Sequence, residues 1–382
     1  MQRGGYRRGA VTWVSFAALF AFGFLNSVLG PALPEIRAAE HISYIAGALH
    51  QVAFALGGGL AGLLASRLMA NTRRRTVICG GLLAAGLAGV LLAYVNLLPV
   101  TLVAAFLVSL FGTSALVRVW AVLADVHGRR RTVAMTEGEV AVSLSGILTS
   151  LLVGGLAATE LSWRFAFVVG GVLVAAATLA VAVVEIPASN PARPAPRAQP
   201  FRLRPTLVVV FAVVGLEFAL SFWLASFLHD DVGMGRSAAA AMVGGLYAAN
   251  LVGRLAASRL SRRIDAPALL AASLLLTLAG APVLLEARAP GAAALGLAVL
   301  GIGIGAMFPL VSSLHLAVTF RTSDGAMGEV MSVAAVGQIL GPLVVGLVAQ
   351  LAGLRVGLLV LPTLAVVGLA GLVRQRLATT SR

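Results

Sequence analysis

Long apolar stretches follow one another along almost the whole chain of 382 residues. A helix that crosses the bilayer needs about 20 mostly apolar residues, and twelve stretches between charged clusters or Pro- and Gly-rich breaks reach that length. The sequence therefore predicts an all-α, polytopic membrane protein. Its twelve predicted transmembrane helices cover residues 11–32, 43–66, 76–95, 99–122, 138–158, 164–185, 207–228, 238–257, 267–286, 292–318, 328–350 and 355–373.

The composition excludes several other classes of protein. Only 11% of the residues are charged, against about 25% in an ordinary soluble domain. All 28 basic side chains are arginine, and a phosphate-binding P-loop depends on its lysine, so this type of ATP site is excluded. The five histidines are scattered without metal-ligand spacing, which argues against a membrane metalloenzyme. We expect no cofactor, no metal and no enzymatic activity.

The arginines indicate how the chain is oriented. With the N-terminus in the cytoplasm, 22 of the 28 arginines fall in inner loops or inner helix ends, five fall outside, and Arg118 lies within a span. Positive charge accumulates on the cytoplasmic side of membrane proteins. We therefore predict a multi-pass protein of the inner (plasma) membrane with both termini in the cytoplasm. The net charge of +14 then reflects topology, so we expect a lipid bilayer as partner and no nucleic acid.

The two halves of the chain repeat each other. Residues 65–68 (Ala-Ser-Arg-Leu) recur at 257–260, and Gly138 to Val140 recur as Gly-Glu-Val at 328–330. Both offsets are close to half the chain length, which indicates a duplicated six-helix unit. A connector rich in proline and arginine separates the halves. We predict an N-terminal six-helix bundle at 1–185, a cytoplasmic linker at 186–206 and a C-terminal six-helix bundle at 207–382.

With this layout, the chain resembles the major facilitator superfamily over essentially its whole length. Basic loops after the second and eighth spans resemble the family's loop motif, although serine stands at positions 66 and 258 where an acid is usual. The resemblance implies two pseudo-symmetric six-helix bundles around a central site. The residues assigned to the loop motif and a cytoplasmic gate are Gly62, Arg67, Arg73, Asp125, Gly253, Arg254 and Arg259.

Two further stretches bear on the branch of the family. The seventh span resembles the fucose-permease branch through Gly215, Glu217 and Trp223. Drug exporters of the family carry a Gly-Pro pair in the fifth span, but Ser150 and Leu151 stand at that place here. The resemblance therefore favours uptake of a small polar metabolite over export.

Two charged side chains lie inside predicted spans, where each needs a partner, a water-filled cavity or a function. Glu217 is the only acid near the middle of a span, and Ser221 shares its helix face. We interpret Glu217 as a proton-coupling carboxylate; the alternative is a neutral glutamic acid hydrogen-bonded between helices. Arg118 either binds an anionic substrate or pairs with an acid as part of a gate. The alternative is a structural pair with Asp125, Glu137 or Glu139 at the cytoplasmic end, or a side chain that extends to the membrane interface.

The other candidates are polar or aromatic side chains within spans. Tyr247, Asn250 and Arg254 follow helical spacing on the eighth span. A hydrogen-bonded helix contact is the alternative for His50, and Trp223 also fits a membrane-interface aromatic. The residues predicted to bind substrate are Asn26, His50, Gln51, Arg118, Ser221, Trp223, Tyr247, Asn250 and Gln338.

Together these features predict a secondary active transporter that works by alternating access. We expect proton-coupled uptake of a small polar metabolite, either a sugar or an organic acid, by a monomer. The partners are then the small-molecule substrate and protons. Proton-driven efflux of drug-like compounds is one alternative. A membrane receptor or scaffold that binds without transport is another.

Overall fold

The computed structural model describes residues 7–65, 72–128, 131–159, 162–187, 204–261, 263–318 and 323–380. All regular secondary structure within these ranges is helical. The helices are α1 (Ala10–Ser27), α2 (Leu29–Glu40), α3 (Tyr44–Ala65), α4 (Arg74–Tyr94), α5 (Leu98–His127), α6 (Arg131–Ala157), α7 (Phe165–Ala182), α8 (Pro205–Asp230), α9 (Arg236–Leu260), α10 (Ala266–Leu285), α11 (Pro290–Gly305), α12 (Met307–Val318), α13 (Ser323–Ala352), α14 (Leu354–Gly357) and α15 (Val360–Thr380).

In the described residues, these helices form twelve stretches long and apolar enough to cross a membrane, which confirms the predicted spans. The first span consists of α1 and α2, the tenth of α11 and α12, and the twelfth of α14 and α15; each other span is one helix. With an even number of spans, both chain ends lie on one side, which we call the termini side. The opposite side is the far side.

The first span is longer than predicted. It continues to Glu40, beyond the expected end at residue 32. Leu33 and Ile36 are buried in this extension, and burial of large aliphatic side chains is worth about 1.5–3 kcal/mol each. This apolar face keeps α2 helical in spite of Pro34 inside it.

Each half of the chain packs mainly within itself. In the first half, span 4 packs against spans 2 and 3, and span 1 lies against spans 5 and 6. In the second half, span 7 lies against spans 11 and 12, and span 10 against spans 8 and 9. The halves meet where span 5 packs on span 8, span 11 on span 2, and α2 on span 7. Because α2 packs on span 7 while α1 packs mainly on the other spans of its own half, spans 1 and 7 converge toward the far side.

Glycines allow neighbouring helices to approach backbone to backbone. A Cβ atom at Gly253 would collide with the carbonyl oxygen of Ile302, and one at Gly305 would collide with the carbonyl oxygen of Asn250. Helices in a bilayer associate largely through such close van der Waals contact, since no hydrophobic force drives them together. Spans 8 and 10 therefore depend on these two glycines for their separation.

We expect Gly253→Ala to lower the apparent melting temperature of the purified protein by several degrees, because overpacking against a backbone atom costs about 1–3 kcal/mol. Gly62→Ala is the matched control, since Gly62 has open space where its Cβ would lie. Alanine there should be neutral or slightly stabilising. Equal melting temperatures for the two variants would contradict the packing described for spans 8 and 10.

Candidate functional site

A cluster of three polar side chains closes the far side between the two halves. Asp230, at the end of span 7, accepts a hydrogen bond from the Tyr44 hydroxyl at 2.5 Å and forms an ion pair with Arg37 at 3.3 Å. The Arg37 guanidinium also lies 3.7 Å from the centroid of the Tyr44 ring. Spans 1 and 2 are thereby joined to span 7 through one carboxylate. We call Arg37, Tyr44 and Asp230 the far-side seal.

Two more polar contacts join the halves beside this seal. Arg236 forms an ion pair with Glu35 at 3.3 Å. The Ser237 hydroxyl donates to the carbonyl oxygen of Gly154 at 2.7 Å. The far side is therefore held closed by polar contacts that spans 7 and 8 make with spans 1, 2 and 5.

Trp223 lies directly on the inner side of the seal. Its side chain is buried, and the indole N–H donates to the carbonyl oxygen of Pro342 at 2.9 Å. The ring centroid is 5.6 Å from that of Tyr44. Trp223 thus faces the protein interior rather than lipid, and its ring forms an aromatic layer beneath the seal.

The backbones of spans 1 and 7 touch just below this layer. A Cβ atom at Gly30 would lie 2.6 Å from the carbonyl oxygen of Ser221, so the approach requires glycine. Asn26 is one helical turn from Gly30 on the same face, and Glu217 is one turn from Ser221. Both spans rise by about 1.5 Å per residue in the same direction, so Asn26 and Glu217 share a depth about 6 Å from the contact.

Other predicted residues lie near this depth. Gln51 shares a face of span 2 with Gly59. A Cβ atom at Gly59 would lie 3.3 Å from the Ala335 methyl group on span 11. Gln338 follows Ala335 by one turn, so both glutamines lie where spans 2 and 11 meet. Tyr247 packs its ring on Gly146 of span 5. The central polar layer consists of Asn26, Gln51, Glu217, Tyr247 and Gln338.

The side chains of this layer differ in how far they are satisfied. Gln51 is buried, and its amide nitrogen has no hydrogen-bond partner among the described residues. The Tyr247 hydroxyl lies beside the Ser27 hydroxyl. Glu217 is half-buried and forms no hydrogen bond or ion pair with any residue that the structure describes. The nearest charges around it belong to Arg254 and Glu139.

Arg254 connects the halves on the termini side of the layer. Its guanidinium forms an ion pair with Glu139 at 3.1 Å and donates to the Ser143 hydroxyl at 2.6 Å, so span 8 is bound to span 5. Its Nε atom also donates to the carbonyl oxygen of Gly305 at 2.9 Å. Arg254 therefore forms an ion pair with one carboxyl group, Glu139, and acts electrostatically on a second, Glu217.

Two predicted binding residues face neighbouring helices of their own half. His50 is buried and lies 3.0 Å from the Thr101 hydroxyl and 3.9 Å from the Glu40 carboxylate. Asn250 is buried too. With the oxygen and nitrogen of its side-chain amide oriented so that both are satisfied, the nitrogen donates to the carbonyl oxygen of Gly301 at 2.8 Å. Their polar groups thus join helices within one half.

Arg118 and Asp125 lie where spans 3 and 4 meet. Arg118 follows Ala115 by one turn, and Ala115 packs on Gly81 of span 3. Arg118 is also close to Arg74, which forms an ion pair with Asp125 at 2.6 Å. Both predicted residues are therefore on the span 3 side of span 4 and away from the central polar layer.

The loop-motif residues are spread over the termini side. Arg73 and Arg259 are exposed, and Gly62 contacts nothing through its Cβ position. Gly253 separates spans 8 and 10 as described above. Arg67 lies outside the described residues. Among the described members of the motif, Arg254 forms contacts between the halves.

The sequence profile of the Major Facilitator Superfamily matches residues 15–322, which is well over half of the chain. The chain belongs to this family of membrane transporters. It is accordingly a transporter and not an enzyme, and its fold supports secondary transport by alternating access. A comparison with curated proteins finds no match.

Solved structures of transporters share this fold. A bacterial homologue of the human lysosomal transporter Spinster, inward-facing and unoccupied, has a TM-score of 0.75 at 15% identity, covering 96% of this chain and 97% of its own. The human organic anion transporter MFSD10 (TETRAN) has a TM-score of 0.73 at 17% identity, covering 96% of this chain and 99% of its own. The transporter FucP, in the outward conformation, has a TM-score of 0.69 at 18% identity, covering 95% of this chain and 98% of its own.

Sequence reasoning missed the far-side seal. Arg37 and Tyr44 were passed over because they lie at the ends of predicted spans, where polar residues are expected. A signal was present, however. Arg37 and Asp230 are 193 positions apart, close to the repeat offset, so residues of opposite charge stand at nearly equivalent places on spans 1 and 7.

We expect Asp230→Ala to open the far side, because it removes both contacts of the seal. Partly exposed contacts of this kind are worth about 0.5–1 kcal/mol each, which predicts a several-fold rise in the far-side-open population. Spin labels at Leu97→Cys and Arg288→Cys, two exposed far-side positions, would report this opening as a longer distance in pulsed electron paramagnetic resonance. Both variants would be made in a Cys79→Ser background.

The control for this measurement is Asp125→Ala, since Asp125 pairs with Arg74 within one half. It should leave the far-side distance distribution unchanged. A seal that closes the far side is contradicted if both aspartate variants give the same distribution.

The ion pair of Arg254 and Glu139 should behave as one unit. We expect Arg254→Gln and Glu139→Gln each to separate spin labels at the exposed positions Arg75→Cys and Arg263→Cys, and the double variant to add little further. The free-energy effects of Arg254→Gln and of Asp230→Asn, which lies on the far side, should instead be additive in the double variant. Additive behaviour of the Arg254 and Glu139 variants would mean that the pair does not hold the halves together.

Proposed function

We propose that this transporter carries out proton-coupled uptake of a small polar metabolite, and that the central polar layer is its substrate site. The observation that carries the proposal is Glu217, a carboxyl group without a hydrogen-bond or ion-pair partner among the described residues, at the depth where the two halves meet. An unpaired carboxylate inside a membrane protein is unfavourable. A proton, a substrate group or both would stabilise it.

The surroundings of Glu217 support the coupling role. Arg254 is close to Glu217 and is paired with Glu139, so the two carboxylates compete for one guanidinium. Protonation of Glu217 removes one competitor and strengthens the pairing of Arg254 with Glu139. The charge state of the central layer would thereby act on a contact that joins spans 5 and 8.

The contacts between the halves support alternating access. The far-side seal closes one route to the polar layer, while α1 diverges from span 7 toward the termini side. In the opposite state the seal would break and the termini side would close, as expected when two bundles rock around a fixed site. The far-side contacts are few and partly exposed, so breaking them costs little free energy.

We further propose the inner (plasma) membrane, with both termini in the cytoplasm, since the termini side carries most of the arginines. The termini side then faces inward and the far side outward. The proposed units are the bundles at 1–185 and 207–382 and the linker at 186–206, much of which lies outside the described residues. One chain encloses a whole site, so we propose a monomer.

Glu217→Gln should abolish proton-driven uptake into proteoliposomes while leaving the protein folded, because glutamine keeps the shape of the side chain but cannot exchange a proton. Uptake of a substrate identified by growth on single carbon sources would be measured with and without an imposed pH gradient. Glu286→Gln, at an exposed far-side position, is the matched control and should transport normally.

Three results would count against the proposal in different ways. Unchanged gradient-driven uptake in Glu217→Gln would remove the proton role from Glu217. Substrate movement out of cells, together with tolerance to toxic compounds, would favour efflux. Tight binding without any translocation would favour a receptor.

A further inference from the structure

Two groups in the central polar layer, one hydrogen-bond donor and one acceptor, lack a partner in the part of the chain that the structure describes. The Gln51 amide nitrogen is a buried donor without an acceptor among the described residues, and Gln51 as a whole is only 5% exposed. The Glu217 carboxyl group is a half-buried acceptor without a donor in the same part of the chain. A buried donor left unsatisfied costs about 1–3 kcal/mol, so its presence in a folded protein points to a missing partner.

The two groups come from opposite halves and lie at similar depth. Ala48 and Trp223 both contact Gly346, and Gln51 follows Ala48 by about one turn of span 2 toward the termini side. Glu217 precedes Trp223 by less than two turns of span 7, in the same direction. With a rise of about 1.5 Å per residue, the two side chains are within about one turn of each other in depth. Span 11 packs on both span 2 and span 7, so a ligand that lies between the halves at this depth and extends from span 2 to span 7 would contact both groups.

The charges near the layer disfavour an anionic ligand. Arg254 is held by Glu139, Ser143 and the Gly305 carbonyl oxygen. Arg37 is bound in the far-side seal, and Arg118 lies on the span 3 side of span 4. An organic anion would therefore meet the ionised Glu217 carboxylate without a free guanidinium from the described residues to compensate it, and an unpaired buried charge is strongly unfavourable.

The unpaired donor on Gln51 disfavours an amine. An ammonium group donates three hydrogen bonds and accepts none. It would satisfy Glu217 but not the Gln51 donor, which disfavours an amine that carries no hydroxyl group. A hydroxyl group both donates and accepts, so adjacent hydroxyls on one molecule can satisfy Gln51 and Glu217 together.

We infer that the central polar layer binds a neutral polyhydroxylated compound, a sugar or a polyol, whose hydroxyl groups donate to Glu217 and accept from the Gln51 amide. Asn26, at the depth of Glu217, supplies a further amide that can donate and accept. The inference rests on the proposed substrate site and narrows its ligand from polar metabolites in general to neutral hydroxylated ones. It also makes Gln51 a residue that selects the ligand.

The test is equilibrium binding to the purified full-length protein in lipid nanodiscs. The probes are hexoses, pentoses and their alditols, each beside the matched aldonic acid and a primary alkylamine of similar size that carries no hydroxyl group. At least one neutral probe should bind, and its acid and amine counterparts should bind at least tenfold more weakly. Binding only by acids, binding only by amines, or no binding by any neutral probe would each overturn the inference.

Gln51→Leu tests the residue itself. Loss of one neutral hydrogen bond is worth about 1 kcal/mol, so the dissociation constant of the neutral probe should rise about fivefold to tenfold. The apparent melting temperature without ligand should stay the same or rise, because the variant removes an unsatisfied donor. Gln350→Leu, at an exposed position, should change neither quantity. A lower melting temperature in Gln51→Leu with unchanged affinity would assign Gln51 a purely structural role and overturn its part in binding.

Binding and transport separate this inference from the proposed function. A neutral sugar or polyol that binds through Gln51 but is not transported would refute the transport proposal and leave the ligand class standing. Proton-coupled transport of an organic acid or an amine, with no binding of neutral probes, would refute the ligand class alone.

Discussion

The contact between Gly30 and the Ser221 backbone determines how the centre of this molecule is arranged. The two residues lie on spans 1 and 7, which occupy equivalent places in the two halves, and a side chain at position 30 would push the spans apart. Everything at the centre is ordered relative to this contact. The aromatic ring of Trp223 and the far-side seal lie on one side of it, and Asn26 and Glu217 lie one turn away on the other.

The two long seams between the halves are built differently. Spans 5 and 8 are joined by Arg254 and Glu139 as well as by small residues. The repeat aligns Glu139 with Glu329 of span 11, yet Glu329 turns into its own half and lies 3.2 Å from His315. The Nδ1 atom of His315 is in turn 2.8 Å from the Thr206 hydroxyl. The duplicated acid thus joins the halves in one copy and stabilises a single half in the other.

Hydropathy and arginine placement were enough to predict the spans, because the bilayer imposes a minimum length and a charge bias on every helix that crosses it. Glu217 was also singled out as a candidate from the sequence, since an acid in mid-span stands out against apolar neighbours. The partners of other polar residues could not be found in this way. His50 stood out as a histidine within a span, and helical spacing placed Asn250 on one face with Tyr247 and Arg254, but neither observation says which neighbouring helix the side chain meets. Thr101 and the Gly301 carbonyl group, their actual partners, are far away in sequence.

The double attachment of Arg254 links two kinds of movement. The tenth span is interrupted between Gly305 and Met307, and the carbonyl oxygen at this interruption is the one that accepts from the Arg254 Nε atom. The other end of the same guanidinium is bound to span 5. A separation of spans 5 and 8 therefore either releases the arginine from Glu139 or pulls on the joint of the tenth span. The Arg254 side chain thereby couples the separation of the two halves mechanically to the bend angle of the tenth span.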